Sequence, residues 1–309
     1  MNEINETKQT SESLIGVTGA SGHLGRLVIE ALLAQNLPAE KIVAVVRDPQ
    51  KIADFASRGV QVRRADYTQP EALEAAFKGV ERLLLVSSSE VGERVPQHKN
   101  AIEAARKSGV GFLAYTSILK ADTSGMQLAA EHKATEQIIR DSGIGFAFLR
   151  NSWYFENYTG QLPSTLQHGA VFGSAGDGQV SAASRADYAA AAAAVLIAPD
   201  IENKVYELGS DSAFTLSELA VEISEQTSGE IVYRDLPIED FAQALIRAGL
   251  PEPLARILAD ADLGIKRGDL LVVSGDLSRL INRPTTTLAE AVASALKKQN
   301  IKNKTAGEK

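Results

Sequence analysis

From Leu14 to Arg150, short apolar runs rich in Val, Ile and Leu alternate with longer stretches in which apolar residues recur every three or four positions. The runs Leu14–Thr18, Ile42–Arg47, Val60–Ala65, Arg82–Ser87, Gly111–Ser117 and Gly145–Arg150 are nearly continuous in apolar residues, as strands covered on both faces are. Between them Leu24–Gln35, Pro49–Ser57, Pro70–Phe77, Pro96–Lys107 and Leu128–Asp141 have helical spacing. Several of these open on Pro, and Gly59, Gly79, Gly109 and Gly143 stand just past the ends. The alternation predicts parallel strands joined by right-handed helical crossovers, an α/β doubly wound parallel sheet.

After Asn151 the rhythm changes. Tyr154–Leu166 reads as a helix, Gly169–Ala183 as short strands around Gly176-Asp177-Gly178, and Asp187–Ala198 as a helix capped by Asp187. Lys204–Leu208 and Ile231–Arg234 are strand-like, while Thr215-x-x-Glu218 and Thr287-x-x-Glu290 each match a capping box. The expected organisation is a disordered extension over 1–13, a doubly wound domain over 14–153 and a smaller α/β lobe over 154–298. From that lobe the chain partly returns to the first domain, and a lysine-rich frayed tail follows over 299–309.

Composition narrows the chemistry. With 309 residues, 44% hydrophobic and 23% charged, the chain has ample side chain for a buried core. Thirty-nine acidic against 32 basic side chains give a net charge of −7, the wrong sign for following a phosphate backbone, so nucleic acid is not expected as a partner. The absence of cysteine excludes disulfides, thiolate nucleophiles and cysteine-held metals. The run Tyr188–Ala198 is too short to span a bilayer, and Met1–Ser13 is polar and acidic, unlike a secretory signal. A cytoplasmic location without membrane contact is the expectation. The oligomeric state is left open, a homodimer included.

The strongest motif is Thr18-Gly19-Ala20-Ser21-Gly22-His23-Leu24-Gly25, between the first strand and the first helix. Gly19 permits the tight turn, Gly22 lets backbone approach a pyrophosphate, and Gly25 lets the helix pack closely on the sheet. Open N–H groups at the helix start suit an anion, so this position predicts a dinucleotide. The second strand ends on Arg47, where an NAD site would offer a carboxylate. A guanidinium suits a 2′-phosphate, and NADP(H) is the expected cofactor. Asp66, Ser87, Ser88, Ser89 and Asn151 follow other strand ends on the same edge of the sheet, placed to contact adenine, ribose or phosphate, or to serve as turn residues.

The glycine loop, Val46-Arg47-Asp48, Ser87–Ser89, Leu149–Tyr154 and Arg185-Ala186-Asp187-Tyr188 together resemble the NmrA-like atypical short-chain dehydrogenases, and within them the NADPH-dependent type 2 quinone oxidoreductases. The resemblance runs from about Leu14 to Leu296 and includes Pro284–Leu288. It implies that Gly19–Leu24 hold the pyrophosphate, Arg47 the 2′-phosphate, and Ser87–Ser89 flank the cofactor. By the same resemblance Asn151, Ser152, Trp153, Tyr154, Phe155, Glu156 and Arg185 surround the nicotinamide, and a small-molecule quinone accepts the hydride.

The chain departs from the wider superfamily at Tyr-x-x-x-Lys. With Glu136 matched to the usual downstream glutamate, those positions hold Leu128 and His132. The tyrosine acid is missing, which argues against simple ketone reduction and is compatible with quinone reduction, whose product anion is resonance-stabilised. His132 is the candidate proton donor, with solvent as the alternative. No two of His23, His98, His132 and His168 stand four apart, so no metal is expected. The aromatic run Trp153–Tyr158 either walls a flat quinone by offset stacking or packs between the lobes. A nucleotide-binding redox regulator without turnover, or a reductase of another small acceptor, would use the same cofactor residues.

Overall fold

The computed structural model describes residues 13–199, 203–227 and 229–307, with backbone alone from residue 300 onward. The expected disordered extension therefore lies, but for Ser13, outside the described residues. The first half runs β1 (Leu14–Val17), α1 (His23–Ala34), β2 (Ile42–Val46), the single turn α2 (Ala53–Ala56), β3 (Gln61–Arg64), α3 (Pro70–Phe77), β4 (Val80–Leu85), α4 (Arg94–Lys107), β5 (Phe112–Ile118), α5 (Gln127–Ser142) and β6 (Gly145–Asn151). The second half runs α6 (Phe155–Thr159), α7 (Leu162–His168), β7 (Ala170–Gly173), β8 (Gln179–Val180), α8 (Arg185–Ile197) and β9 (Lys204–Leu208). It closes with β10 (Phe214–Thr215), α9 (Leu216–Thr227), β11 (Val232–Asp235), α10 (Ile238–Arg247), α11 (Glu252–Arg267), α12 (Asp276–Ile281) and α13 (Leu288–Gly307).

Seven parallel strands form the main sheet in the order β3-β2-β1-β4-β5-β6-β9. The order reverses between β1 and β4, so the crevice at the carboxyl edge opens at the end of β1. Alternate residues of each strand serve opposite faces. Ile42, Ala44 and Val46 of β2 join Leu24, Val28 and Leu32 of α1 and the alanine face of α8 in one core. Val43 and Val45 turn the other way, into a core with Leu73, Ile102 and Ile139 from α3, α4 and α5. A third cluster unites Phe155, Phe214, Leu216 and Ile265 with Ile118 and Met126, packing the second half against the end of β5 and the start of α5.

Several elements depart from the sequence reading. Lys204–Leu208 returns to the main sheet as its seventh strand, pairing with β6. Pro49–Ser57 is a 3-10 turn, Pro49–Ile52, followed by one α turn. The helix expected over Tyr154–Leu166 is two helices separated at Gly160 and Gln161. The cap of α8 is Ser184, whose side chain accepts from the Asp187 N–H. Asp187 itself is fully buried, receiving Arg283 Nη2 at 2.6 Å and the Thr286 N–H at 2.9 Å. Both capping boxes form, with Glu218 and Glu290 accepting from the N–H groups of Thr215 and Thr287. Helix α13 continues as backbone to Gly307, through the segment expected as a frayed tail. No helix among the described residues is long and apolar enough to cross a membrane.

Candidate cofactor and active site

Between β1 and α1 the chain turns at Gly19, whose φ of +57° is a conformation that side chains with a Cβ resist. The Gly22 N–H donates to Gly19 O at 2.9 Å, closing the loop, and no side chain caps α1 at Gly22. A Cβ at Gly25 would stand 2.4 Å from Gly19 O and 2.8 Å from Ala20 Cα, so this glycine is what allows α1 to start directly against the loop. Gly19, Ser21, Gly22, His23 and Leu24 form one wall of a cleft of about 350 Å³ at the carboxyl edge of the sheet. Ala20 is fully buried and only its backbone serves the loop, donating to Val45 O at 3.3 Å.

The far end of the cleft is formed by Arg47 and Asp66. The Arg47 guanidinium is 70% exposed and bonds Glu90 Oε1 at 3.0 Å, with Asp66 Oδ2 4.0 Å away. Its partner is thus Glu90, from the loop after β4, while Asp48 caps the following turn by accepting from the Gln50 N–H. Asp66 accepts both the N–H and hydroxyl of Thr68, and those bonds, the backbone one foremost, hold its carboxyl below the usual range. Exposed ion pairs of this kind contribute little, so a 2′-phosphate can displace Glu90 at small cost. Arg47→Ala is expected to shrink the preference for NADPH over NADH about ten- to a hundredfold, because a charged hydrogen bond is worth about 1.5–3 kcal/mol. Competitive titration of the two nucleotides measures it, and an unchanged ratio would remove Arg47 from the site.

Ser87, Ser88 and Ser89 line the opposite wall, and buried groups hold the first two in place. The Ser87 N–H donates to Thr116 Oγ1 at 2.8 Å, and Ser88 Oγ donates to Gln97 Oε1 at 2.5 Å. The Ser88 N–H donates to His98 Nε2 at 2.9 Å, which places the His98 proton on Nδ1, facing Thr135 Oγ1 at 3.0 Å. Tyr67 completes the wall, its hydroxyl 2.5 Å from Thr18 Oγ1 and 2.7 Å from Val86 O. Gln97, His98 and Tyr67 carry no motif, and His98, fully buried, serves the wall structurally.

Burial, and secondarily the Arg94 charge, push the His98 imidazole down to about 3. The unfolded chain protonates this ring below about pH 6.5, whereas the folded chain keeps it neutral to about pH 3. Stability is therefore full above pH 6.5 and falls with acidification through that window, by about 2 kcal/mol at pH 5 for this one group. Urea unfolding at pH 7.5 and pH 5 should show a drop that His98→Asn reduces, the buried His132 accounting for a further part of it. An equal drop in both proteins would contradict the assignment.

His132, expected as the proton donor, is not presented to the cleft. It is 4% exposed, bonded through Nδ1 to the Tyr115 hydroxyl at 2.7 Å, and lines neither the cleft nor the cavity beside His23. Burial, then the Arg94 charge and His98, keep it well below the usual imidazole range. The geometry gives a packed ring, bonded to Tyr115 and closed off from both spaces. One turn onward, Glu136 accepts from Ser117 Oγ at 2.7 Å and takes Arg150 Nε and Nη2 at 2.9 and 2.7 Å. Arg150 also reaches Asp122 and Glu207, tying the ends of β5, β6 and β9.

The stretch after β6 divides. Asn151 and Ser152 are buried, Ser152 bonding Leu208 O and Leu270 O, each at 2.8 Å, and neither reaches the cleft. Tyr154 packs edge-on to Tyr188 with the Arg185 guanidinium 4.7 Å from its ring centroid, and Phe155 stacks on Phe214. Phe155, Glu156 and Arg185 line a larger cavity, about 710 Å³, that meets the cleft at His23. Glu156 accepts the Arg185 N–H at 3.0 Å and so fixes the start of α8 at its rim. Trp153 turns away into a third cavity.

The NAD(P)H-binding family matches residues 19–199, the segment that carries the glycine loop and both cleft walls. Over 280 residues the chain is 52% identical to quinone oxidoreductase 2 of Escherichia coli, covering 91% of this chain and 98% of the relative. The chain belongs to the quinone oxidoreductase 2 family. The crystal structure of that NADPH-dependent enzyme with NADPH superposes with a TM-score of 0.89 over 92% of this chain and 100% of the other. Triphenylmethane reductase of Citrobacter sp., complexed with NADP(H), is 40% identical with a TM-score of 0.87 over 91% of this chain and 99% of the other. An NAD(P)H azoreductase from Xenophilus azovorans is 28% identical over 90% of this chain and 96% of its own length. The cofactor class fits the residues present: glycines where a Cβ would close the loop, an uncapped helix start, and an arginine at the far end of the cleft.

Proposed function

We propose that the protein is an NADPH-dependent quinone oxidoreductase. The observation that carries the reading is the glycine-loop cleft ending on Arg47, on a chain 52% identical to an enzyme of that name. NADPH, when bound, supplies the hydride. The chain's own task is to bind, orient and exclude water. Gly19 and Gly22 give backbone access to a pyrophosphate, Arg47 selects the 2′-phosphate, and the His98-anchored Ser88 wall keeps the cleft to one shape. The cavity where His23 meets Phe155, Glu156 and Arg185 supports placing the nicotinamide end and the acceptor there, with the smaller C-terminal lobe assigned to the acceptor.

Leu128 and the buried His132 stand where related reductases carry tyrosine and lysine, which supports an acceptor that needs no positioned acid. Hydride addition to a quinone leaves an anion delocalised over the ring, and water protonates it. Absorbance of NADPH with a panel of benzoquinones and naphthoquinones tests the reading. Steady oxidation dependent on the protein is expected, and no oxidation across the panel would overturn it.

A further inference from the structure

Glu90 lines the cofactor cleft from the loop after β4, and its two carboxylate oxygens have different partners. Oε1 accepts from Arg47 Nη1 at 3.0 Å, while Oε2 accepts from Gln97 Nε2 at 2.6 Å. Gln97 stands on α4 and is 6% exposed, and its own Oε1 accepts from Ser88 Oγ at 2.5 Å. The Glu90 N–H donates back to Ser88 Oγ at 3.2 Å, closing a ring of hydrogen bonds through buried groups. A surface carboxylate ordinarily gives up side-chain freedom to pair; this one is held in place from behind. Asp66, the other carboxylate at this end, is placed differently. Its Oδ1 is taken by Thr68, and its Oδ2 stands 4.0 Å from Arg47 Nε. Of the two, Glu90 is the one that hydrogen-bonds the guanidinium.

A 2′-phosphate arriving on Arg47 meets Glu90 as a like charge on the very nitrogen it needs. A 2′-hydroxyl in the same place is a donor, and a fixed carboxylate accepts from it. NAD sites supply that carboxylate from the end of the second strand; this chain has Arg47 there and brings a carboxylate from the loop after β4. We infer that Glu90 is a specificity-determining residue of the nucleotide site, supporting NADH and opposing NADPH, so that it tempers the preference Arg47 sets. The inference deepens the proposed function and rests on its assignment of Arg47 to the 2′-phosphate.

The full chain is titrated with NADPH and with NADH, without any acceptor, as wild type, Glu90→Gln and Arg47→Ala. Glutamine keeps the side-chain length and an oxygen for Gln97 Nε2, and Glu90 is 48% exposed, so Glu90→Gln should melt like the parent. It is expected to bind NADPH about threefold more tightly, through release of one exposed ion pair. It should bind NADH about tenfold more weakly, through loss of one charged hydrogen bond. Damage to the fold weakens both nucleotides together and cannot produce opposite shifts. Weaker binding of both, unchanged affinity for NADH, or no gain for NADPH would each overturn the inference. Arg47→Ala tells the two failures apart. An unchanged nucleotide ratio there removes Arg47 from the site and this inference with it, whereas a changed ratio beside an unresponsive Glu90→Gln removes Glu90 alone. Because only binding is read, absence of quinone reduction leaves the result standing.

Discussion

Replacing Gly25 by alanine is expected to weaken NADPH binding at least about a hundredfold, a larger effect than loss of any single side chain in the cleft. The added Cβ would lie 2.4 Å from Gly19 O, 2.8 Å from Ala20 Cα and 2.9 Å from Gly19 C. All three are backbone atoms, so no rotamer change relieves the overlap. Either the start of α1 lifts from the loop or the Gly19 turn opens, and both displace the N–H groups that face a pyrophosphate. Overpacking of this kind also costs about 1–3 kcal/mol of stability. Gly22→Ala is the milder companion, its Cβ 3.2 Å from Gly19 O, and should lose binding with a smaller loss of stability. Isothermal titration with NADPH and a thermal melt separate the two effects. Wild-type affinity in Gly25→Ala would show that the loop is not the phosphate site.

Arg150→Met should produce the largest loss of folding stability, about 3 kcal/mol or more. Arg150 and Glu136 are 4% and 5% exposed at their side chains and are joined through two hydrogen bonds. Removing the guanidinium leaves a buried carboxylate with Ser117 and, at 3.6 Å, Arg140 as neighbours. Asp122 and Glu207, at 59% and 28% exposure, can turn to water and suffer less. Arg150→Met combined with Glu136→Leu removes both charges and should recover much of the loss, because a buried pair replaced by apolar groups of similar size is often neutral. Urea unfolding of the two variants gives the comparison. Equal stability of the single variant and wild type would show that the cluster is not what joins β5, β6 and β9.

What could be read from the sequence was local or periodic. The strands of the first half, the glycine loop and the two capping boxes depend on residues within a few positions of one another, and each appears where expected. The burial of His132 was also legible in principle: Ala129, His132, Glu136 and Ile139 share one face of α5 at three- and four-residue spacing, and all are buried. Taking His132 as a donor followed its place in a motif and overlooked its place in that stripe. The walls of the cleft were not legible. Tyr67 meets Thr18, His98 meets Ser88 and Arg47 meets Glu90 across 49, 10 and 43 positions, with no spacing to announce them. The partition of Trp153–Tyr158 between two cavities arises because α6 presents alternate faces to α13 and to α9–α11, which only tertiary packing decides.

The central claim is that the cleft ending on Arg47 delivers a hydride from NADPH to a quinone. The most direct measurement follows NADPH absorbance with a small quinone panel, each run repeated with NADH and with Arg47→Ala. Rapid oxidation by the wild-type protein, strongly favouring NADPH, and loss of that preference in the variant are the predicted result. Tight NADPH binding with no oxidation of it by any quinone would contradict the claim and leave a nucleotide-binding regulator in its place.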